Sequence, residues 1–241
     1  MMLTLAALIA AACSGDDDDS GPGGADGPSA DLIGNVIVNG SFEAGRDPWI
    51  SLRPPEWQLS TDKAYSGSAS AYLEMRDTAV SETDKIYYLV QEVVPPELPE
   101  VLSGNYFVEN WVKGTKSQYL QFVVILWADD LTGMPPCPDG NPCPNYQIRY
   151  LLAGIDEDPF QIANAKFFYL TKEQPVQGEW VHFERNLVED FQTLWGGVPK
   201  DLTNIRLLFE VRYDKKTAEE GPLKADVYYD DLYLGPAGTA P

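Results

Sequence analysis

The stretch Asn35-Val36-Ile37-Val38-Asn39-Gly40-Ser41-Phe42-Glu43-Ala44-Gly45 opens the folded part of this 241-residue chain, and Val227-Tyr228-Tyr229-Asp230-Asp231-Leu232-Tyr233-Leu234 closes it. Both are short runs rich in the β-branched and aromatic residues that favour strands. Between them, similar alternating runs are separated by clusters of Gly, Pro, Asn and Asp. Many short strands with frequent turn signals predict an all-β fold, an antiparallel β-sandwich.

The pattern predicts one domain over residues 32–235, followed by a flexible Gly/Pro/Ala-rich tail over 236–241. Only Leu187 to Trp195 has helical spacing of apolar residues, and Gly196-Gly197 ends it. The predicted strands cover 36–38, 70–75, 86–93, 106–113, 119–127, 146–152, 166–169, 180–186, 205–213 and 225–234.

The N-terminal residues predict an export signal. Residues 1–12 are apolar and uncharged, and they are too few to span a bilayer, which takes about 20 residues. Ala10-Ala11-Ala12-Cys13 resembles the bacterial lipobox, which implies a lipoprotein signal peptide over 1–12 and lipid attachment at Cys13. The alternative is an ordinary cleaved signal peptide with an incidental cysteine. We expect a protein exported to the cell envelope and anchored by lipid at the outer membrane or cell surface.

Residues 13–31 are predicted to be a disordered tether. The segment contains the run Asp16 to Asp19 and many Gly, Pro and Ser residues, and Ser14 to Ala30 has no large apolar side chain to bury. The whole chain has a formal net charge of −20. This charge disfavours nucleic acid and anionic lipid surfaces as partners, leaving lipid anchoring as the only predicted membrane contact. It is compatible with neutral ligands and with cations.

Two further cysteines, Cys137 and Cys143, have five residues between them and lie in a Pro- and Gly-rich segment. In an oxidising compartment this spacing favours a disulfide. The alternative, a zinc site, requires additional Cys or His ligands, and His182 is the single histidine of the chain.

The opening and closing runs, together with Trp49 and Ala64-Tyr65-Ser66-Gly67-Ser68-Ala69-Ser70, resemble the carbohydrate-binding modules of families 4, 9 and 22. The resemblance implies a jelly roll of the galactose-binding-like type that binds a polysaccharide or other glycan without cleaving it. It also implies a structural calcium ion. By residue match the calcium ligands are Glu43 and Asp230, with backbone oxygens near Ser41, Lys63 and Ser66.

Strand alternation supports the calcium site independently. It predicts Asp230 on the same face as Leu232 and Leu234, and a carboxylate among core leucines is costly unless it is paired or metal-bound. Calcium requires oxygen donors of this kind. The alternative is a solvated Glu43 with Asp230 capping a turn.

Sugar recognition needs aromatic rings beside polar groups that bond hydroxyls. Alternation places Tyr119, Gln121 and Trp127 on one face of their strand, and Trp111 and Arg149 are further candidates. The alternative is that these aromatic residues belong to the core.

Three functions remain open. The first is non-catalytic glycan binding by a monomeric lipoprotein; the second is a structural or adhesion lipoprotein that binds a protein. The third is a jelly-roll glycosidase or polysaccharide lyase. Its catalytic pair would come from carboxylates among Asp156, Glu157, Asp158, Glu210 and Asp214. The sequence favours the first function, in which the protein is no enzyme.

Overall fold

The computed structural model describes residues 34–77, 80, 83–156 and 162–238. The predicted signal peptide, the lipid-attachment residue Cys13 and the tether therefore lie outside the described residues, as do Glu157 and Asp158. Within the described part of the chain, no helix has the length and apolarity that a membrane crossing requires.

The described residues form ten strands and one helix. They are β1 (Gln58–Ser60), β2 (Ser70–Asp77), β3 (Lys85–Val93), β4 (Val101–Val112), β5 (Gln118–Asp130), β6 (Tyr146–Ala153), β7 (Ala165–Tyr169), β8 (Trp180–Asn186), α1 (Leu187–Trp195), β9 (Lys200–Tyr213) and β10 (Leu223–Gly235).

The strands form two five-stranded sheets that pack as a jelly-roll sandwich. The first sheet has the order β1-β2-β10-β4-β8, and the second has the order β3-β9-β5-β6-β7. All pairs are antiparallel except β6 and β7, which run parallel. The predicted antiparallel sandwich is confirmed, and the parallel pair lies at an edge of the second sheet, because the connection after β6 returns the chain to the end of the sheet from which β6 started.

Aromatic rings fill the space between the sheets. Phe122 of β5 stacks on Tyr150 with 4.5 Å between ring centroids and on Phe183 of the first sheet at 4.9 Å. Phe209 of β9 contacts Tyr229 of β10 at 5.5 Å. All five side chains are buried, and each such ring pair contributes about 0.5–1.5 kcal/mol beyond the burial of its surface.

The helix follows its sequence signals closely. The Asn186 side chain accepts a hydrogen bond from the Glu189 backbone N–H at 3.0 Å, which caps the first turn. Gly196 ends the helix with φ of +76°, a conformation that glycine adopts without a steric penalty. The predicted bounds are confirmed.

The opening segment departs from its prediction. Residues 36–38 are not a strand; instead the Val36 N–H donates to the Leu234 carbonyl at 2.8 Å, and the Val38 N–H donates to Gln91 Oε1 at 2.8 Å. The segment thus lies along the sandwich without joining a sheet ladder. Strand β1, in contrast, was not predicted, because its three residues are too few to show an alternating pattern.

Cys137 and Cys143 form the predicted disulfide. Both are buried against the main core. The Tyr146 hydroxyl donates to the Pro135 carbonyl at 2.8 Å and connects the disulfide loop to β6.

Candidate functional site

The outward-facing side of the second sheet carries four of the five predicted ligand residues. Leu120, Phe122 and Val124 of β5 belong to the core between the sheets, so the alternating residues Tyr119, Gln121 and Trp127 face away from it. Arg149 lies on the same side, since it pairs in register with Val123. We call this side the second-sheet face.

Trp111 lies elsewhere. It is on β4 of the first sheet, where its indole N–H donates to Gln174 Oε1 at 3.0 Å. The position of Gly154 shows how closely it is packed, because a Cβ built on that glycine would lie 3.1 Å from the indole ring. Trp111 thus lies on the other sheet from the four remaining predicted residues, although its ring comes close to the Tyr119 backbone beside Gly154.

A buried polar cluster forms the floor of the second-sheet face. Gln121 pairs in register with Glu210, and its Nε2 donates to Glu210 Oε2 at 2.5 Å. Tyr119 pairs with Arg212, and its hydroxyl donates to Asp214 Oδ2 at 3.0 Å. All five side chains are less than a tenth exposed.

One guanidinium connects the two carboxylates of this cluster. Arg212 Nη2 lies 2.6 Å from Asp214 Oδ1, and Arg212 Nη1 lies 3.6 Å from Glu210 Oε2. Burial alone lowers the pKa of Arg212, but Glu210, Tyr119 and Asp214 outweigh it and raise that pKa above its usual range. Burial also raises the pKa of Tyr119 well above its usual value, so its hydroxyl stays protonated and donates.

Three buried polar atoms of this face have no hydrogen-bond partner within the described residues. They are the acceptors Gln121 Oε1 and Asn204 Oδ1, the latter on the residue paired with Trp127, and the donor Arg149 Nε. Because the Gln121 amide gives its N–H to Glu210, its oxygen is left for another donor. Unsatisfied buried groups cost about 1–3 kcal/mol each, so a donor and an acceptor at these positions would be stabilising.

Half-buried side chains surround the polar floor. At one end the Arg206 guanidinium stacks over the Trp127 ring, 5.1 Å from its centroid. At the β7 edge, Phe167 pairs in register with Arg149, and Tyr169 pairs with Leu151. Phe167 and Tyr169 pack with Tyr119, Leu151 and Ile155 in an apolar cluster separate from the main core.

The sequence interpretation missed Arg212, Phe167 and Tyr169. A signal for Arg212 was present, since Arg206, Leu208, Glu210 and Arg212 alternate with core residues along the predicted strand. Glu210 and Asp214 were predicted only as possible catalytic carboxylates. Which of these residues face Tyr119 and Gln121 depends on the strand order, which the sequence does not contain.

The residues of the predicted calcium site meet at residues 65–69, the turn before β2, which we call the Ser-Gly turn. Glu43 Oε1 accepts from the backbone N–H groups of Ser68 and Ala69 at 2.7 and 2.8 Å, and Glu43 Oε2 accepts from Ser68 Oγ at 2.7 Å. Asp230 Oδ2 accepts from the N–H groups of Tyr65 and Ser66 at 2.7 and 3.3 Å. The two carboxylates hold the same turn from two sides.

The alternation predicted for β10 is wrong at Asp230. Val227, Tyr229, Leu232 and Leu234 all belong to the core, so a register shift separates Asp230 from the leucines. Asp231 forms this bulge with φ of +47° and donates its N–H to Asp230 Oδ1 at 2.8 Å. Asp230 is nevertheless fully buried.

Burial, and then the neighbouring Asp231 carboxylate, raise the pKa of Asp230 to about 8. A bound cation offsets both effects. The donor chemistry fits calcium, because a carboxylate has about four acceptor positions and the hydrogen bonds named above leave one on Glu43 Oε2 and one on Asp230 Oδ1. Among the residues described, no three His, Cys, Asp or Glu side chains cluster as a metal site, so further ligands would be backbone carbonyls.

Comparisons with known proteins give structural neighbours only. No protein-family model and no curated protein matches the chain. The chain is similar to a solved family 61 carbohydrate-binding module, TmCBM61, in complex with β-1,4-galactotriose: identity is 14%, the TM-score is 0.42, and 83% of this chain and 97% of that chain are covered.

Two further structures illustrate the range of these neighbours. The C-terminal family 22 module of Clostridium thermocellum Xyn10B is 17% identical with a TM-score of 0.39, over 84% of this chain and 97% of that one. A β-1,2-glucanase from Parabacteroides distasonis is 17% identical with a TM-score of 0.38, over 80% of this chain and 22% of the enzyme. The TM-scores of these three structures are all below 0.5.

Proposed function

We propose that this protein binds a neutral polysaccharide without cleaving it, through the second-sheet face. The observation that carries the proposal is the combination of half-buried aromatic rings with an unpaired buried acceptor and donor, Gln121 Oε1 and Arg149 Nε. Rings of Trp127, Phe167 and Tyr169 can cover the apolar faces of pyranoses, and the polar atoms can bond their hydroxyls. The carboxylates in the floor and the net charge of −20 disfavour acidic glycans.

The same floor supports binding over hydrolysis. Glycoside hydrolysis needs two carboxyl groups that act separately, one as an acid and the other as a base or nucleophile. Glu210 and Asp214 both form ion pairs with the same Arg212 guanidinium, so neither is a free carboxyl group that faces the other. Their arrangement is that of a buried ion pair network that shapes the floor.

We further propose that the protein acts as a monomeric lipoprotein of the cell envelope, anchored through Cys13. The apolar residues before Cys13 and the acidic Gly/Pro/Ser segment after it support this placement. The rival function, adhesion to a protein partner, would need a broad apolar patch on the second-sheet face, whereas the described residues there combine aromatic rings with Gln121, Arg149 and Arg206.

Replacing Trp127 by alanine is expected to weaken glycan binding at least ten-fold, about 1.4 kcal/mol, because the half-buried ring supplies an apolar surface beside the polar floor. Isothermal titration of the purified full chain with the polysaccharide that it binds measures the change. Trp180→Ala is the matched control, since Trp180 is also half-buried but lies on the first sheet. Unchanged affinity in Trp127→Ala, or a loss confined to Trp180→Ala, contradicts the assignment of this face.

We also propose that calcium binds at the Ser-Gly turn, held by Glu43 and Asp230 with backbone oxygens of Ser41, Lys63 and Ser66. The support is the convergence of both carboxylates on one turn, and the burial of Asp230. When bound, the ion would link the opening segment, the turn and β10, and so stabilise the sandwich.

Calcium is therefore expected to raise the melting temperature by several degrees over that in chelator. A ligand at 100 times its Kd contributes about 2.7 kcal/mol, which produces a shift of this size. Differential scanning calorimetry of the wild type and of Asp230→Asn measures it, and the variant is expected to lose the shift. Equal melting temperatures of the wild type with calcium and with chelator would exclude the site.

A further inference from the structure

The outer face of the first sheet carries a continuous row of aromatic side chains on the opposite side of the sandwich from the second-sheet face. Tyr72, Tyr228, Phe107 and Trp180 lie directly opposite one another in register across β2, β10, β4 and β8. Neighbouring ring centroids are 4.8, 6.0 and 5.6 Å apart. Tyr65, from the Ser-Gly turn, adds a fifth ring, 5.7 Å from that of Trp180. We call these five residues the aromatic row.

The row already holds one ammonium group, that of Lys63. Lys63 Nζ lies 4.1 Å from the Phe107 ring centroid and 5.7 Å from that of Tyr228. It is also 3.4 Å from Glu109 Oε2, while the Tyr228 hydroxyl donates to Glu109 Oε1 at 3.1 Å. Ring faces beside a carboxylate are the surroundings that stabilise an amine through cation–π and ionic attraction.

The end of the aromatic row at Trp180 and Tyr65 is open to solvent. Tyr65 is 44% exposed, and Trp180 is half-buried. The edge strand β8 adds exposed polar groups beside Trp180: Glu179 precedes it, and His182 and Glu184 follow on the same face of the strand. Aromatic rings and exposed carboxylates therefore recur at this end of the row.

We propose that the aromatic row is a second binding site, for a glycan that carries free amino groups, such as a polymer of de-N-acetylated amino sugar. The ring faces of Tyr65 and Trp180 suit the apolar face of a pyranose, and the carboxylates suit its ammonium group. Charge complementarity supports this ligand over an acidic one, since the exposed Glu179 and Glu184 lie before and after Trp180 in a chain of net charge −20, while Glu109 is already paired with Lys63. The site is separate from the second-sheet face, so it does not depend on the proposed function.

Isothermal titration of the full chain with a glucosamine hexamer tests the proposal. The experiment is done at about pH 5.5, where amines of this kind are protonated, with the N-acetylglucosamine hexamer in parallel. The free-amine hexamer is expected to bind, and the acetylated one is expected to bind at least ten-fold more weakly. Trp180→Ala is expected to weaken the free-amine hexamer at least ten-fold, whereas Trp127→Ala leaves its affinity unchanged.

Three results would overturn the proposal. The first is that the free-amine hexamer does not bind, and the second is that the two hexamers bind with equal affinity. The third is that the wild type and Trp180→Ala bind the free-amine hexamer equally well, which would indicate attraction to the acidic surface as a whole. If Trp180→Ala does not fold, Tyr65→Ala serves instead, because Tyr65 is exposed on a turn. The titration of Trp127→Ala with a neutral polysaccharide tests the second-sheet face alone. A negative result there is therefore distinguishable from a negative result for the aromatic row.

Discussion

Replacing Arg212 by alanine is expected to lower the free energy of unfolding by about 3–5 kcal/mol, because it leaves the buried carboxylates of Glu210 and Asp214 without their shared cation. The loss also removes the support that holds Glu210 against Gln121. Urea denaturation at neutral pH measures the change.

Arg206→Ala is the matched control. Arg206 lies on the same strand and points to the same face, but it pairs with Glu92, whose side chain is exposed. Exposed pairs contribute about 0–1 kcal/mol, so this variant is expected to remain close to the wild type. Similar losses in the two variants would mean that the buried network is no more important than a surface ion pair.

The unfolding free energy in chelator is expected to fall as the pH rises from 5 to 8, because Asp230 has a pKa of about 8 in the folded protein and an ordinary value near 3.8 when unfolded. The folded state holds the proton more tightly, so this contribution is complete below about pH 4 and is lost as the pH rises through 8. The slope approaches about 1.4 kcal/mol per pH unit. Chemical denaturation at several pH values measures it.

Asp230→Asn is expected to remove this slope, since the amide does not titrate. Glu43→Gln is the matched control. Hydrogen bonds from Ser68 and Ala69 outweigh burial and lower the pKa of Glu43 from its usual 4.5. The contribution of Glu43 to the unfolding free energy is therefore lost only at a pH below the interval from 5 to 8. A slope that persists in Asp230→Asn would show that another group, and not Asp230, causes the pH dependence.

Much of the fold could be predicted because each signal is local. Asn186 and Gly196 mark the ends of the helix through contacts within one turn, and the alternation over residues 119–127 places Gln121 and Trp127 on one face. Prediction was wrong where tertiary contacts decide the backbone. Residues 36–38 have the composition of a strand, but Gln91 and Leu234 take up hydrogen-bonding groups that would otherwise form a ladder.

The candidate sites needed information that lies in the strand order. Tyr72, Tyr228, Phe107 and Trp180 are far apart in sequence, and the β2-β10-β4-β8 order is what makes them one row. At Asp230 the prediction was wrong for a different reason. A single bulge at Asp231 interrupts the alternation, so Asp230 does not lie on the face of Leu232 and Leu234. Its contact with the Ser-Gly turn followed from the family resemblance and not from periodicity.

Affinity electrophoresis of the purified full chain through gels that contain neutral polysaccharides tests the central claim most directly. The panel should include a β-galactan, a xylan and a soluble cellulose derivative, with a polyuronate as the acidic comparison. We expect retardation by at least one neutral polymer, lost in Trp127→Ala and retained in Trp180→Ala, and none by the polyuronate. Migration of the wild type unchanged by every neutral polymer would contradict the proposed function.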